Sequence, residues 1–105
     1  MEIDAQRVAE LQREGSIQLI DVREPHEWEA GHIDGARWVP MGDLPTQAET
    51  FDAAQPVVFY CRVGGRSAMA AQAFRRAGYD AYTMTGGLIE WEARGLPLDG
   101  HVADH

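Results

Sequence analysis

The sequence predicts an α/β fold in which helices cover both faces of a parallel sheet. Short apolar runs alternate along the chain with segments of helical periodicity, which is the pattern of repeated strand and helix pairs. The apolar runs are nearly continuous, as is typical of strands that are buried on both faces. With 105 residues, the chain is long enough for one domain of this kind.

Residues that typically start or end helices delimit three segments in the first half of the chain. Asp4 is placed to cap a first helix, and Gly15 is placed to end it. Pro25 suits the first position of a short second helix, and Thr46 is placed to cap a third. The apolar runs between these helices predict two strands. The first predicted helix starts after Asp4, and the other two cover residues 24–31 and 46–53. The predicted strands cover residues 17–22 and 36–39.

The second half of the chain repeats the strand and helix pattern twice. The apolar run at 57–60 predicts a strand, and apolar residues at helical spacing predict a helix over 67–77 that Gly78 ends. A last strand is predicted over 81–84. Gly86-Gly87 then opens a final helix.

The charge balance of the chain opposes nucleic-acid binding. Nine Lys and Arg residues stand against seventeen Asp and Glu residues, which gives a formal net charge of -8. Most of such a surface repels a phosphate backbone. Neither the acidic N-terminus nor any later apolar run has the pattern of a signal peptide or a membrane span. We therefore expect a cytoplasmic protein that binds neither nucleic acid nor a membrane.

The cysteine count narrows the possible chemistry. A single cysteine, Cys61, excludes an intramolecular disulfide, a C-x-x-C redox pair and a cysteine-rich zinc site. His101 and His105 have the i, i+4 spacing of a metal pair, but they lie in a short acidic tail, and we expect no metal there. The chemistry expected of Cys61 requires no cofactor.

Cys61 lies where a predicted strand ends, ahead of a glycine loop and a helix start. The N–H groups at a helix N-terminus are unpaired, and Gly64 and Gly65 allow the loop to curl so that further N–H groups face inward. We therefore predict a cradle around the Cys61 sulfur that favours the thiolate over the thiol. The predicted cradle consists of Arg62, Val63, Gly64, Gly65, Arg66 and Ser67.

Two arginines of this loop supply positive charge. Arg62 and Arg66 are expected to attract a small anionic sulfur donor such as thiosulfate, and Arg66 is also placed to brace the loop by pairing with an acidic side chain. In the predicted reaction, the Cys61 thiolate takes the sulfane sulfur of the donor as a persulfide, and a thiophilic acceptor then removes it. The expected acceptors are cyanide, a small thiol or the cysteine of a partner protein.

Four stretches of the sequence resemble the rhodanese homology domain. They occur in the family's order and spacing over residues 1 to about 97, so their joint occurrence is specific. The stretches are LIDVREP (19–25) with Glu27-Trp28, GHIDGA (31–36), CRVGGRS (61–67), and Gly86-Gly87 followed by Trp91. The resemblance implies a five-stranded parallel sheet flanked by helices on both faces, and the persulfide chemistry of a thiosulfate sulfurtransferase on Cys61. We expect residues 98–105 to form a short, mobile tail.

Two alternative functions stay open at this point. One is a sulfur carrier for a specific partner protein, in which turnover with cyanide is incidental. The other is the chemistry of Cdc25-like phosphatases and related arsenate reductases, which the same fold supports. Those enzymes have Cys-x5-Arg loops because a tetrahedral oxyanion is larger than one sulfur atom. Here four residues separate Cys61 from Arg66, which favours sulfur transfer.

Other polar and aromatic residues are expected to support the site. Asp21 and Arg23 follow an apolar strand, and the resemblance suggests that they scaffold the edge of the sheet that carries Cys61. Asp21 would accept backbone hydrogen bonds or pair with an arginine. His32 is expected to hydrogen-bond locally in a turn, since the cradle makes a base unnecessary. The tryptophans are expected to pack in the core or at its rim: Trp28, Trp38 and Trp91.

The interpretation of Cys61 has two structural requirements. The amides of the loop must point at the sulfur, because they supply the stabilisation of its negative charge. The sulfur must also not be sealed in the interior, because a donor has to reach it.

Overall fold

The structure is a computed structural model, and it describes residues 1–103. The strands are β1 (Glu2–Asp4), β2 (Gln18–Asp21), β3 (Gly31–His32), β4 (Arg37–Trp38), β5 (Val57–Tyr60), β6 (Ala81–Thr85) and β7 (Asp99–Gly100). The helices are α1 (Ala5–Glu14), α2 (Pro25–Ala30), α3 (Leu44–Gln47), α4 (Gly65–Arg76) and α5 (Gly87–Ala93). Within residues 1–103, no helix combines the length and the apolar character needed to cross a lipid bilayer.

Five strands form one parallel sheet in the order β1, β6, β5, β2, β4. The central strand β5 lies between β6 and β2, and its four residues are fully buried. This arrangement confirms the predicted five-stranded parallel sheet. Because parallel strands end at a common edge, the residues that follow β2, β5 and β6 lie near one another.

Side-chain alternation along β5 builds one core on each face of the sheet. Val57 and Phe59 belong to a core that includes side chains of α3 and α4, whereas Val58 and Tyr60 belong to a core that includes side chains of α1 and α5. The predicted covering of both faces by helices is therefore confirmed.

The helix starts predicted from capping residues are correct for α1 and α2. The carboxylate of Asp4 accepts a hydrogen bond from the Arg7 amide at 2.8 Å, and Gly15 ends α1 with a φ of 71°. Pro25 occupies the first turn of α2, where its missing N–H leaves no hydrogen bond unmade.

The helix predicted over 46–53 is wrong in extent and in its cap. The chain instead forms a 3-10 turn at Met41–Asp43, the single α-helical turn α3, and a second 3-10 turn at Ala48–Thr50. Thr46 lies inside this segment, and its hydroxyl donates to the Asp43 carbonyl oxygen rather than capping a helix start. The segment begins earlier because Leu44 is buried in the core and thereby fixes the first turn.

Strand β1 has no counterpart in the sequence prediction. It has three residues, of which only Ile3 is apolar, so no apolar run indicates it. The strand forms because the edge of β6 offers backbone partners, with Ile3 opposite Met84 in the parallel register. Pairing with a distant strand therefore determines this element.

The chain beyond residue 97 contacts the domain as far as the structure describes it. Strand β7 pairs antiparallel with β3, the His101 amide donates to the Ala30 carbonyl at 3.0 Å, and Val102 packs against the α1 and α5 core. The domain boundary and the mobility of the tail stay predictions. His105 lies outside the described residues, so the expectation for the histidine pair has no structural counterpart.

Helix α5 begins directly against the backbone that carries Cys61. The amides of Leu88 and Ile89 donate to the carbonyl oxygens of Cys61 and Arg62 at 2.9 and 3.1 Å. Gly87, with a φ of 63°, makes this approach possible, because a methyl group there would lie 2.7 Å from the Cys61 oxygen and closer still to that of Arg62.

Gly87→Ala should lower the free energy of unfolding by at least about 2 kcal/mol, since it adds strain at positive φ to a clash with backbone atoms. Chemical denaturation measures the loss. Gly42→Ala is the control, because a methyl group at Gly42 meets no atom within 4 Å. Equal stability of the two variants would contradict the close packing of α5 on the loop.

Candidate active site

Cys61 directly follows β5 and continues the alternation of that strand. Its side chain joins the core on the α3 and α4 face. Helix α4 then starts at Gly65, two residues before its predicted start, with Gly64 as its N-cap at a φ of 115°. Ser67 therefore lies in the first turn of α4, where its N–H has no partner within the helix.

Three groups of the loop converge on the Cys61 sulfur. The Gly64 amide donates to Sγ at 3.1 Å and the Ser67 amide at 3.5 Å, and the Ser67 hydroxyl oxygen lies 3.5 Å from the same atom. Among the described residues, these are the hydrogen-bond partners of the sulfur, so the amides of the other predicted cradle residues do not bond it. Those residues are Arg62, Val63, Gly65 and Arg66. The first structural requirement is therefore met by two amides rather than by a full ring.

The Cys61 side chain has no solvent-accessible surface, so the second requirement is not met in this conformation. The loop that surrounds the sulfur is nevertheless at the surface. Val63 is 60% exposed, and Gly65 is exposed as well. A surface loop therefore lies beside the sulfur, and contact between a donor and the sulfur requires a change from this conformation.

Arg66 is held by Glu27 of α2. Its guanidinium donates to both carboxylate oxygens, at 2.7 and 3.0 Å, and the Glu27 side chain is only 5% exposed. The hydrogen bonds from Arg66 lower the pKa of Glu27 to about 2, although burial alone would raise it. The pair thus braces the loop as predicted for Arg66, and it neutralises the charge expected to attract an anionic donor.

Arg62 is connected to the C-terminal segment. Its Nε donates to the Ala103 carbonyl oxygen at 3.0 Å, and the side chain is half-buried. This hydrogen bond joins the loop to the chain beyond β7. The positive charge of Arg62 is retained, because a carbonyl oxygen carries no compensating charge.

Asp21 and Arg23 form a buried ion pair at the edge of the sheet. The Arg23 guanidinium donates to the Asp21 carboxylate at 2.7 to 3.1 Å, and the Arg23 amide donates to the same carboxylate at 2.9 Å. Burial opposes the charge of Arg23, but hydrogen bonds and attraction from Asp21 outweigh it and raise the pKa of Arg23. Arg23 also donates to the Gly31 carbonyl at 2.7 Å, which ties β2 to the end of α2.

His32 and two of the tryptophans form a stack at the side of the domain. The rings of Trp28 and His32 lie 3.7 Å apart and nearly parallel, and Trp38 stacks at 5.8 Å from Trp28. His32 Nδ1 lies 2.9 Å from the Trp28 carbonyl oxygen, which is a local contact, and its Nε2 lies 3.7 Å from a carboxylate oxygen of Asp99 in β7. Trp91 is buried in the α1 and α5 core.

Comparison with known proteins identifies the family. The sequence model of the family described as "Rhodanese-like domain" matches residues 4–94 of the chain. The chain belongs to the rhodanese-like family. Its structure is similar to the crystal structure of a rhodanese-related protein from Thermoplasma volcanium, with a TM-score of 0.86 and 26% sequence identity. That match covers 92% of this chain and 95% of the other.

Curated relatives of this rhodanese-like domain are longer proteins. An uncharacterized protein of Bacillus subtilis (strain 168), YqhL, is 44% identical over 75 residues, which cover 70% of this chain and 60% of YqhL. The probable adenylyltransferase/sulfurtransferase MoeZ of Mycobacterium tuberculosis is 38% identical over 84 residues, covering 77% of this chain and 21% of MoeZ. The chain thus spans about three fifths of the first relative and about a fifth of the second.

Two residues at the site of this rhodanese-like domain were not predicted for it. Glu27 is the acidic partner of Arg66, and Thr83 of β6 lies 2.7 Å from the Ser67 hydroxyl. Glu27 stands within a stretch that carries the family resemblance, but no sequence pattern pairs it with Arg66. Thr83 is a polar residue between Tyr82 and Met84 in the predicted strand 81–84, and this position is the local signal for it.

Glu27→Gln should lower the free energy of unfolding by about 1–2 kcal/mol at neutral pH. It removes one partner of a bidentate pair, and the partial exposure of Arg66, 36%, reduces the loss below that of a fully buried pair. Because folding depresses the pKa of Glu27, its contribution is complete above about pH 4.5 and disappears as the pH falls toward 2. Urea denaturation at neutral pH and near pH 3 measures both effects.

The matched control for Glu27 is Glu29→Gln on the same helix. Glu29 is exposed, and this substitution should change stability by less than about 0.5 kcal/mol. A loss in Glu27→Gln that stays the same from neutral to acidic pH would show that the ion pair with Arg66 is not its source.

Proposed function

We propose that this rhodanese-like domain is a sulfurtransferase that carries sulfane sulfur as a persulfide on Cys61. The observation that carries the proposal is the convergence of two amides and one hydroxyl on the sulfur of the chain's single cysteine. The two amides belong to the N-cap and the first turn of α4, and main-chain N–H groups at a helix N-terminus are suited to hold a negatively charged sulfur.

The proposed reaction consists of two displacements on sulfur. In the first, the Cys61 thiolate attacks the sulfane sulfur of thiosulfate, a new S–S bond forms, the S–S bond of thiosulfate breaks, and sulfite leaves with the electron pair. A persulfide donor reacts in the same way and releases its thiolate. In the second, a thiophilic acceptor attacks the terminal sulfur and restores the Cys61 thiolate. The acceptor is cyanide, a small thiol or a cysteine of a partner protein.

The family and the relative MoeZ support sulfur transfer as the chemistry. MoeZ is described as a probable adenylyltransferase/sulfurtransferase, and the chain resembles a fifth of its length. The donor is proposed here on chemical grounds alone. Arg62 is the loop arginine whose charge is not neutralised by a carboxylate among the described residues, so we assign it the attraction of an anionic donor.

Cys61 should react slowly with a bulky thiol reagent in the native protein, because its sulfur has no accessible surface. Ellman's reagent should modify the native protein at least about tenfold more slowly than the urea-unfolded protein. Cys61→Ser gives the background. A native rate equal to the unfolded rate would mean that the loop does not cover the sulfur in solution.

Incubation with thiosulfate or a small persulfide should add one sulfur atom, about 32 Da, to the protein, as covalent catalysis requires. Mass spectrometry of the intact chain detects the adduct, and added cyanide should remove it and release thiocyanate. Cys61→Ser is the matched control and should gain no sulfur. Turnover by that variant, or no mass gain in the wild type with any donor, would refute the proposal. Cys61-dependent release of phosphate from an aryl phosphate would instead favour phosphatase chemistry.

A further inference from the structure

A chain of hydroxyl groups extends from the Cys61 sulfur into the neighbouring strand β6. The Ser67 oxygen lies 3.5 Å from the sulfur, 3.2 Å from the Gly64 carbonyl oxygen and 2.7 Å from the Thr83 hydroxyl oxygen. Ser67 has no exposed surface, and Thr83 is 4% exposed. The orientation of the Ser67 hydroxyl is therefore determined by its protein partners, and the one described protein partner of the Thr83 hydroxyl is Ser67.

The protons of these two hydroxyls limit which hydrogen bonds form together. Ser67 has one hydroxyl proton but three atoms in reach that accept it: the sulfur, the Gly64 oxygen and the Thr83 oxygen. If Ser67 donated to Thr83, its proton would be unavailable to a thiolate at Cys61. The Thr83 proton would then also lack an acceptor, because among residues 1–103 the Thr83 hydroxyl bonds Ser67 alone.

The opposite direction satisfies both hydroxyls. When Thr83 donates to Ser67, the Thr83 proton is used, and the Ser67 proton remains available to the sulfur or to the Gly64 oxygen. Because an unsatisfied buried donor costs more than a single hydrogen bond contributes, this direction is the stable one. The 2.7 Å contact between the Thr83 and Ser67 hydroxyl oxygens thus orients the Ser67 hydroxyl next to the sulfur.

We propose that Thr83 is a positioning residue that keeps the Ser67 proton available to Cys61. While Cys61 is a thiol, Ser67 donates to the Gly64 oxygen and accepts from the thiol. When the sulfur becomes a thiolate, the same proton turns to the sulfur, and Thr83 continues to donate to Ser67. This role deepens the proposed function, because its consequence for persulfide formation rests on that function. Its effect on the stability of the Cys61 thiolate does not require sulfur transfer.

Thr83→Val tests the role, because it removes the hydroxyl and nearly keeps the shape. The readout is the ultraviolet absorbance of the thiolate across a pH titration, with the spectrum of Cys61→Ser subtracted, which is specific because the chain has one cysteine. The midpoint of the thiolate signal should rise by about 0.5 to 1 pH unit, the equivalent of one neutral hydrogen bond. Thr83→Ser, which keeps the hydroxyl, should restore the wild-type midpoint.

Sulfur loading should follow the same pattern. At neutral pH, Thr83→Val should load sulfur about three- to tenfold more slowly than the wild type, and the deficit should disappear at alkaline pH, where the thiolate forms without help. If no donor loads the wild type but the thiolate midpoint shifts as expected, the proposed function fails and the positioning role stands.

A double-mutant cycle with Ser67→Ala separates positioning from packing. In the Ser67→Ala background, Thr83→Val should leave the thiolate midpoint unchanged, since Thr83 acts through Ser67. An equal shift in both backgrounds, or an unshifted midpoint in Thr83→Val, would overturn the proposal. Thr83→Ala is titrated in parallel, and circular dichroism verifies that each variant folds. If Thr83→Val does not fold, the titration of Thr83→Ala tests the proposal in its place.

Discussion

The site depends on one constraint: the chain must turn back on its own strand end within a few residues. Gly64 adopts a φ of 115° and returns its amide to 3.1 Å from the Cys61 sulfur, and α4 starts at the next residue. On the other side, Gly87 allows the amides of α5 to reach the carbonyl oxygens of Cys61 and Arg62. Both the sulfur and the backbone of Cys61 are therefore held by main-chain groups.

Two arginines of the site are engaged by carboxylates, and the hydrogen bonds that the sulfur accepts come from neutral main-chain groups. Arg23 is paired with Asp21, and Arg66 is paired with Glu27, so each of these positive charges is matched by a carboxylate. The sulfur accepts hydrogen bonds from the uncharged amides of Gly64 and Ser67, and the thiol in turn donates to the Ser67 hydroxyl oxygen. The arginines thus fix the shape of the loop and of the sheet edge. Arg66 also lies close to Cys61, because its hydrogen bonds to Glu27 raise the pKa of Arg66 and attraction to Cys61 adds to that rise.

Burial of Cys61 has two opposing consequences. Removal from water disfavours the charged form of any thiol, whereas hydrogen bonds from donors such as the Gly64 and Ser67 amides favour it. Burial also protects a reactive sulfur from adventitious oxidants, which act on accessible thiolates. Under the proposed sulfur transfer, a donor reaches the sulfur only if the loop moves, and Val63 and Gly65 of that loop are exposed.

The sequence alone determined the features that depend on neighbouring residues. The alternation of strands and helices, the caps of α1 and α2, and the strand, loop and helix around Cys61 all arise from contacts a few residues apart. The sequence did not predict the short strand β1, because pairing with a distant strand determines it. It also did not predict the earlier start of the segment around α3, because packing in the core determines that start.

Only the tertiary structure decided which distant side chains complete the site. Glu27 and Arg66 are 39 positions apart, and Ser67 and Thr83 are 16 apart. They meet because the sheet order places β2 and β6 on either side of β5, and no local pattern encodes that order. The burial of Cys61 has the same origin, since it results from the packing of the whole loop against two helices and the sheet.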